Sequence, residues 1–150
     1  MKITTYRDLE TWKKAMDLVE LAYRISQRLP TDERFGLISQ MQRAAVSIPA
    51  NIAEGHGRLH RKDFLRYLSI ARGSLMELET HVTIAVRLNL VDRESAVPLW
   101  ESAQEVGRLL NGLIAALKRD PPTRDQGSGV RDQSRMSASP PNPRPPIPDP

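Results

Sequence analysis

The chain contains no cysteine. Disulfides are excluded, and so are the thiolate-ligated zinc sites that hold many small domains. This fits a reducing compartment. Proline is scarce through most of the chain: only Pro30, Pro49 and Pro98 precede residue 120, and the rest crowd between Pro121 and Pro150. Long apolar runs are missing too. The longest uncharged stretch, residues 44–53, is too short to span a bilayer and contains Pro49. Residues 1–7 lack an apolar segment, so no secretory leader is expected. No segment alternates apolar and polar residues over a useful length, so no strands are expected. These absences point to a soluble, cytoplasmic, all-α protein that does not enter a membrane.

What is present is a chain of 150 residues, normally a single domain. Residues 1–120 are long enough to bury one real core without staples. From residue 121 onward the composition turns to Pro, Ser, Arg, Asp, Gln and Gly, with Val130, Met136 and Ile147 as the sizeable apolar residues. Such a segment cannot bury enough surface to order itself, so residues 121–150 are expected to form a disordered tail. The net charge is +4, a mild excess. Only local clustering of that charge can argue for nucleic acid.

Four stretches carry helical periodicity. In residues 6–28, Leu9, Trp12, Met16, Val19 and Tyr23 share one face, and Leu18, Leu21 and Ile25 form a second apolar cluster. One face can feed a core, and the other needs a further partner or deeper burial. Leu29-Pro30-Thr31-Asp32 stops this helix, and Thr31 or Asp32 can cap the next. The second stretch sets Ile38, Met41, Ala45, Ile48 and Ile52 in phase across Pro49, which predicts a kink and not a break. Gly55-His56-Gly57 is expected to end it. The third runs over residues 60–89 with Phe64, Leu68, Ala71, Leu75, Leu78, Val82 and Ala85 in register. The fourth starts near Asp92 or Ser95, the latter placing Pro98 in the first turn, and aligns Leu99, Ala103, Val106, Leu110, Leu113 and Leu117. Four long helices with short links predict an antiparallel up-and-down four-helix bundle.

A polar stripe also runs along the second helix. Gln40, Arg43, Ser47, Asn51 and Glu54 fall within an arc of roughly 80°. The stripe has no lysine and consists mostly of short polar groups, which favours a contact surface over a solvated face. Arg43 and Glu54 lie too far apart on one helix to pair, so each needs a partner from elsewhere. On the third helix, Arg66, Ser69, Gly73, Glu77 and Thr80 share a narrow face. Glycine inside a helix costs about 1 kcal/mol against alanine, a cost that close approach of another helix would justify at Gly73. Glu77 is then a candidate partner for Arg43, within the chain or between subunits.

The turn at residues 54–62 gathers Arg58, Arg61 and Lys62, with Arg66 nearby, around Gly55 and Gly57 at the start of a helix. Glycines permit an amide nest, and a helix start favours an anion such as a nucleic-acid phosphate. The plainer alternative is a glycine helix stop followed by solvated cations. The turn is not a nucleotide-binding fingerprint, since no strand precedes it. Catalysis finds no support. His56 and His60 have a metal-binding spacing but are separated by a glycine turn, His81 stands alone, and Glu77 and Glu79 point to different faces. No catalytic residue, metal site or cofactor is expected.

The run Gln40-Met41-Gln42-Arg43-Ala44-Ala45-Val46-Ser47-Ile48-Pro49-Ala50-Asn51-Ile52-Ala53-Glu54-Gly55, followed by Gly57-Arg58, resembles the signature of the bacterial four-helix bundle proteins. The founding members of that family are encoded in intervening sequences of 23S ribosomal RNA genes. Leu9-Glu10-Thr11-Trp12-Lys13-Lys14-Ala15 and the segment from Phe64 through Arg66, Gly73 and Glu77 to Glu79 match as well, so the resemblance covers residues 5 to about 118. The chain departs from the pattern at Leu59-His60, where the family usually has serine-like caps, and in its proline-rich tail. The resemblance implies a bundle that assembles into rings of five. Through the related accessory proteins of diversity-generating retroelements, it implies contact with a reverse transcriptase and with RNA or DNA on a basic surface. The resulting expectation is a non-enzymatic homo-oligomer that meets nucleic acid through Arg58, Arg61, Lys62 and Arg66. The alternative is a structural or protein-interaction module whose stripes make only subunit contacts.

Overall fold

A computed structural model describes residues 5–119. The tail expected to be disordered, residues 121–150, lies outside the described residues. A short 3-10 turn, Tyr6–Asp8, leads into α1, Glu10–Ser26. A second 3-10 turn, Thr31–Glu33, precedes α2, Leu37–His56. Then come α3, Arg61–Arg87, and α4, Arg93–Arg119. No strand occurs among the described residues. Each helix packs on two others: α1 on α2, α2 on α3, α3 on α4, and α4 back on α1.

The helices alternate in direction. Cross-helix contacts rise in number on one helix as they fall on its neighbour. Lys14 and then Arg28 of the α1 side meet Glu105 and then Asp92 of the α4 side. Ser47 of α2 meets Ser74 of α3, while Gly55 further along meets Phe64 and Tyr67. Arg72 of α3 meets Asn111 of α4, and Leu75 meets Gly107. At the first corner, Gln42 near the start of α2 donates to the Ser26 hydroxyl at the end of α1.

The core stripes of α2, α3 and α4 lie where the periodicity places them. Met41, Ala45, Ile48 and Ile52, then Leu68, Ala71, Leu75, Leu78, Val82 and Ala85, then Leu99, Ala103, Val106 and Leu110 are all buried. In α1 the core face is the second cluster. Leu18 and Ile25 are buried together with Ala15 and Ala22, while Met16 and Tyr23 are exposed. The four buried positions recur at steps of three and four, but two are alanines, so weight by side-chain size favours the wrong face.

Three local details depart from expectation or decide an open point. The first is that α2 passes through the buried Pro49 as one element and also through Gly55, ending at His56. Gly55 is a packing residue: a Cβ there would sit 2.7 Å from Tyr67 Cβ and 2.9 Å from Phe64 Cδ2. The second is the start of α4 at Arg93, which places Pro98 inside the helix and not in its first turn. Asp92 caps that start. Its Oδ2 accepts the Ser95 amide at 3.0 Å and its Oδ1 the Ser95 hydroxyl at 2.7 Å. Those bonds, and to a lesser degree Arg28, hold the Asp92 carboxyl below its usual range. The third is the end of α3 in a Schellman motif. Asn89 has φ 58°, its amide reaches Val86 O at 3.0 Å, and the Leu90 amide reaches Ala85 O at 2.9 Å. No helix of the described residues is long and apolar enough to cross a membrane.

Candidate nucleic-acid interface

Because the helices alternate, the start of α1, the end of α2, the start of α3 and the end of α4 share one end of the bundle. That end carries Arg7, Lys13, Arg58, Arg61, Lys62, Arg66, Lys118 and Arg119 against Glu10, Glu54 and Asp63. The opposite end sets Arg24, Arg28, Arg34, Arg87 and Arg93 against Glu20, Asp32, Glu33, Asp92 and Glu94. The mild net charge is thus polarised along the bundle axis. An end with an excess of positive charge creates a field that concentrates anions.

Arg58 is the most constrained cation there. It donates to Glu54 Oε1 at 2.5 Å and to the Tyr67 hydroxyl at 2.8 Å, and its Cζ lies 5.0 Å from the Tyr67 ring centroid. The hydrogen bond to Glu54, and then the Tyr67 hydroxyl, hold its pKa above the ordinary value. Arg66 approaches the same ring at 5.1 Å. Tyr67 therefore gathers two guanidinium groups that the turn alone would leave apart. Lys62 is exposed, makes no ion pair among the described residues and is free for an anion. Arg61 is half-buried in the first turn of α3. The amide nest is not formed: Gly57 has a right-handed φ of −75°, and no glycine among the described residues has positive φ. A nest needs alternating handedness, and Gly55 is instead held in α2 by packing.

The polar stripe of α2 divides. Ser47 and Asn51 turn toward α3. The Ser47 and Ser74 hydroxyls lie 2.9 Å apart, and Asn51 Nδ2 donates to Ser47 O at 2.7 Å and to Ser47 Oγ at 2.9 Å. These groups serve the α2–α3 seam. Gln40, Arg43 and Glu54 stay exposed. Glu54 finds Arg58 on its own turn, so it does not require a partner from another helix. Glu77 lies 3.3 Å from His81 Nε2, and Arg43 does not reach it within the chain. Gly73 faces open space, with nothing within 4 Å of a Cβ built there, so no helix of this chain crosses it. Exposed Ile70 and Met76 flank Gly73 on α3, and Val46 is exposed on α2.

Two residues central to this region carried only weak signals. Ser74 sits one step from Gly73, and its pairing with Ser47 depends on the antiparallel register. Tyr67 lies nine residues past Arg58, too far for any local rule. His56 packs edge-on against Phe64 at 5.7 Å, and His60 is the extended residue before α3. Among the described residues no three His, Asp or Glu side chains gather as a metal would require. One shallow, open cleft of about 490 Å³ lies beside the basic turn, lined by Tyr6, Ala50, Ala53, Glu54, Gly57 and Arg58.

The family model described as 23S rRNA-intervening sequence protein matches residues 7–112. Among solved structures, the chain is similar to a protein of unknown function from the S23 ribosomal protein family of Bacteroides thetaiotaomicron. The two share 25% identity with a TM-score of 0.65, over 69% of this chain and 97% of that one. No curated protein matches the chain. The family match covers α1, α2 and α3, most of α4, the polar stripe and the basic turn, and by it the chain belongs to the 23S rRNA-intervening sequence protein family.

Proposed function

We propose that this protein is a non-enzymatic, homo-oligomeric accessory protein of the cytoplasm that binds RNA or DNA through the basic end of its bundle. One observation carries the reading: Arg58, Arg61, Lys62, Arg66, Lys118 and Arg119 come to one end while the other end is balanced. Cations on such an end displace the counterions of a phosphate backbone, so affinity falls steeply with salt. The exposed face around Gly73, Ile70, Met76 and Val46, with Arg43 unpaired beside it, supports assembly between copies. Assembly sets several basic ends side by side and raises avidity without new contacts.

The test is an anisotropy titration of single- and double-stranded RNA and DNA from about 50 to 200 mM salt, the range over which several phosphate contacts are lost. Affinity is expected to drop across that range, and a combined Arg58→Ala, Arg61→Ala, Lys62→Ala variant to bind at least tenfold more weakly. Light scattering on the same samples is expected to give a mass several times that of one chain. Binding that ignores both salt and the substitutions leaves the interaction-module alternative, which the open α2–α3 face favours.

A further inference from the structure

The cleft beside the basic turn has a construction that phosphate binding does not explain. Small residues, Ala50, Ala53 and Gly57, line it at steps of three and four from the last turns of α2 to its C-cap. One wall is the Tyr6 ring. The 3-10 turn holds that ring through Leu9 N to Tyr6 O at 3.1 Å, and Trp12 packs edge-on against it at 5.3 Å. Its rim is the Glu54–Arg58 pair. The cleft is shallow and open, so it can cover one face of a small planar group without enclosing it.

A carboxylate on the rim disfavours a phosphate in the cleft and favours a group with N–H donors. Arg58 is already shared between Glu54 and Tyr67, whereas Glu54 Oε2 makes no bond among the described residues. A Tyr6 ring lining the same cleft as small residues suits a planar aromatic ring, since bases stack on such side chains. Guanine presents two adjacent donors, N1–H and the N2 amine, one for the unengaged Oε2 and one for the remaining lone pair of Oε1, which also accepts from Arg58. Uracil presents one donor between two carbonyls, which a carboxylate repels. In a duplex the guanine donors are occupied. Arg7, whose Cζ lies 5.7 Å from the Tyr6 ring centroid, and the exposed Lys62 in the first turn of α3 are the cations for the flanking phosphates.

The geometry points to a nucleobase site in which this cleft receives one unpaired guanine of a single-stranded or looped nucleic acid, Tyr6 stacking on the base and Glu54 reading its donor edge. The inference rests on the proposed nucleic-acid binding and adds a base preference to it.

The experiment uses the full chain and uridine dodecamer RNAs carrying one central guanine, inosine, adenine or uracil, with the guanine oligomer also annealed to its complement. Anisotropy gives affinity, and quenching of Trp12 in a Trp100→Phe background reports the cleft. The guanine oligomer is expected to bind at least fivefold tighter than the uracil one. Inosine, which lacks the N2 amine, is expected to fall between them, and annealing is expected to remove the preference. Glu54→Gln and Tyr6→Ala are each expected to collapse the guanine-to-uracil ratio toward one, with circular dichroism confirming that both variants fold. Salt-sensitive binding that is equal for all four oligomers would overturn the cleft and leave the basic end standing. A guanine preference retained in Glu54→Gln also overturns it. Absence of salt-sensitive binding to any oligomer overturns both proposals.

Discussion

Of the three connections that reverse this chain between helices, the last two are built in opposite ways. At residues 88–92 the polar groups satisfy one another. The Schellman motif at Asn89 closes α3, Asp92 caps α4 through Ser95, and Arg28 reaches across from the end of α1 to both Asp92 and Ser95. At residues 57–60 there is no side-chain cap, Leu59 is 95% exposed, and Lys62 carries no ion pair among the described residues. Gly55 holds this second turn from below by letting α2 press on Phe64 and Tyr67. A turn fixed by packing from one side leaves Lys62 without an ion pair among the described residues, even though Arg58 is held by Glu54 and Tyr67. The turn at residues 88–92 pairs its one charge, Asp92, with Arg28.

Substitutions separate the two kinds of turn. The largest stability effect is expected at Gly55→Ala. Its Cβ would clash with Tyr67 and Phe64, at a cost of about 1–3 kcal/mol in chemical denaturation. A neutral result would mean that packing does not hold the basic turn. Gly73→Ala is expected to separate folding from assembly. Helix propensity raises stability by about 1 kcal/mol, while a Cβ on the open face lowers the mass seen by light scattering. A gain in stability with unchanged mass would place the subunit contact elsewhere.

Asp92→Asn is expected to lower the melting temperature near neutral pH while leaving nucleic-acid affinity alone. Its folded-state pKa is depressed, so the stability it contributes is present above the unfolded pKa and lost as pH falls through the folded value. The gap between wild type and variant therefore closes on acidification. Glu79 has the opposite sign. Burial raises its pKa, so Glu79→Gln is expected to gain slightly at neutral pH and nothing in acid. Leu59→Ser is expected to change stability by no more than about 0.5 kcal/mol, as an exposed site with no packing role.

Much of the bundle was legible from periodicity, because α2, α3 and α4 bury large side chains at unbroken steps. The face of α1 was not, because Ala15 and Ala22 mark the buried side without size to announce it. The start of α4 was nearly legible: Asp92 and Ser95 stand at cap spacing, but Pro98 argued for the later start. Gly55 read as a helix stop because glycine does so by propensity, and its packing partners Phe64 and Tyr67 belong to another helix. The same misreading hid the pairing of Glu54 with Arg58, which sits at helical spacing across the two glycines. Ser47 and Asn51 stood out as short polar groups, but Ser74, which makes them a seam, is fixed only by the antiparallel register.

The two ends of the bundle differ in net charge, and a pair of charge-matched variants separates their roles. One variant removes Arg58, Arg61 and Lys62. The other removes Arg24, Arg87 and Arg93 from the balanced end. The slope of log affinity against log salt is measured for one single-stranded RNA with each. The first variant is expected to flatten the slope by about 2, near 0.7 for each lost phosphate contact, and the second to leave it unchanged. Equal slopes for the two variants would contradict the account.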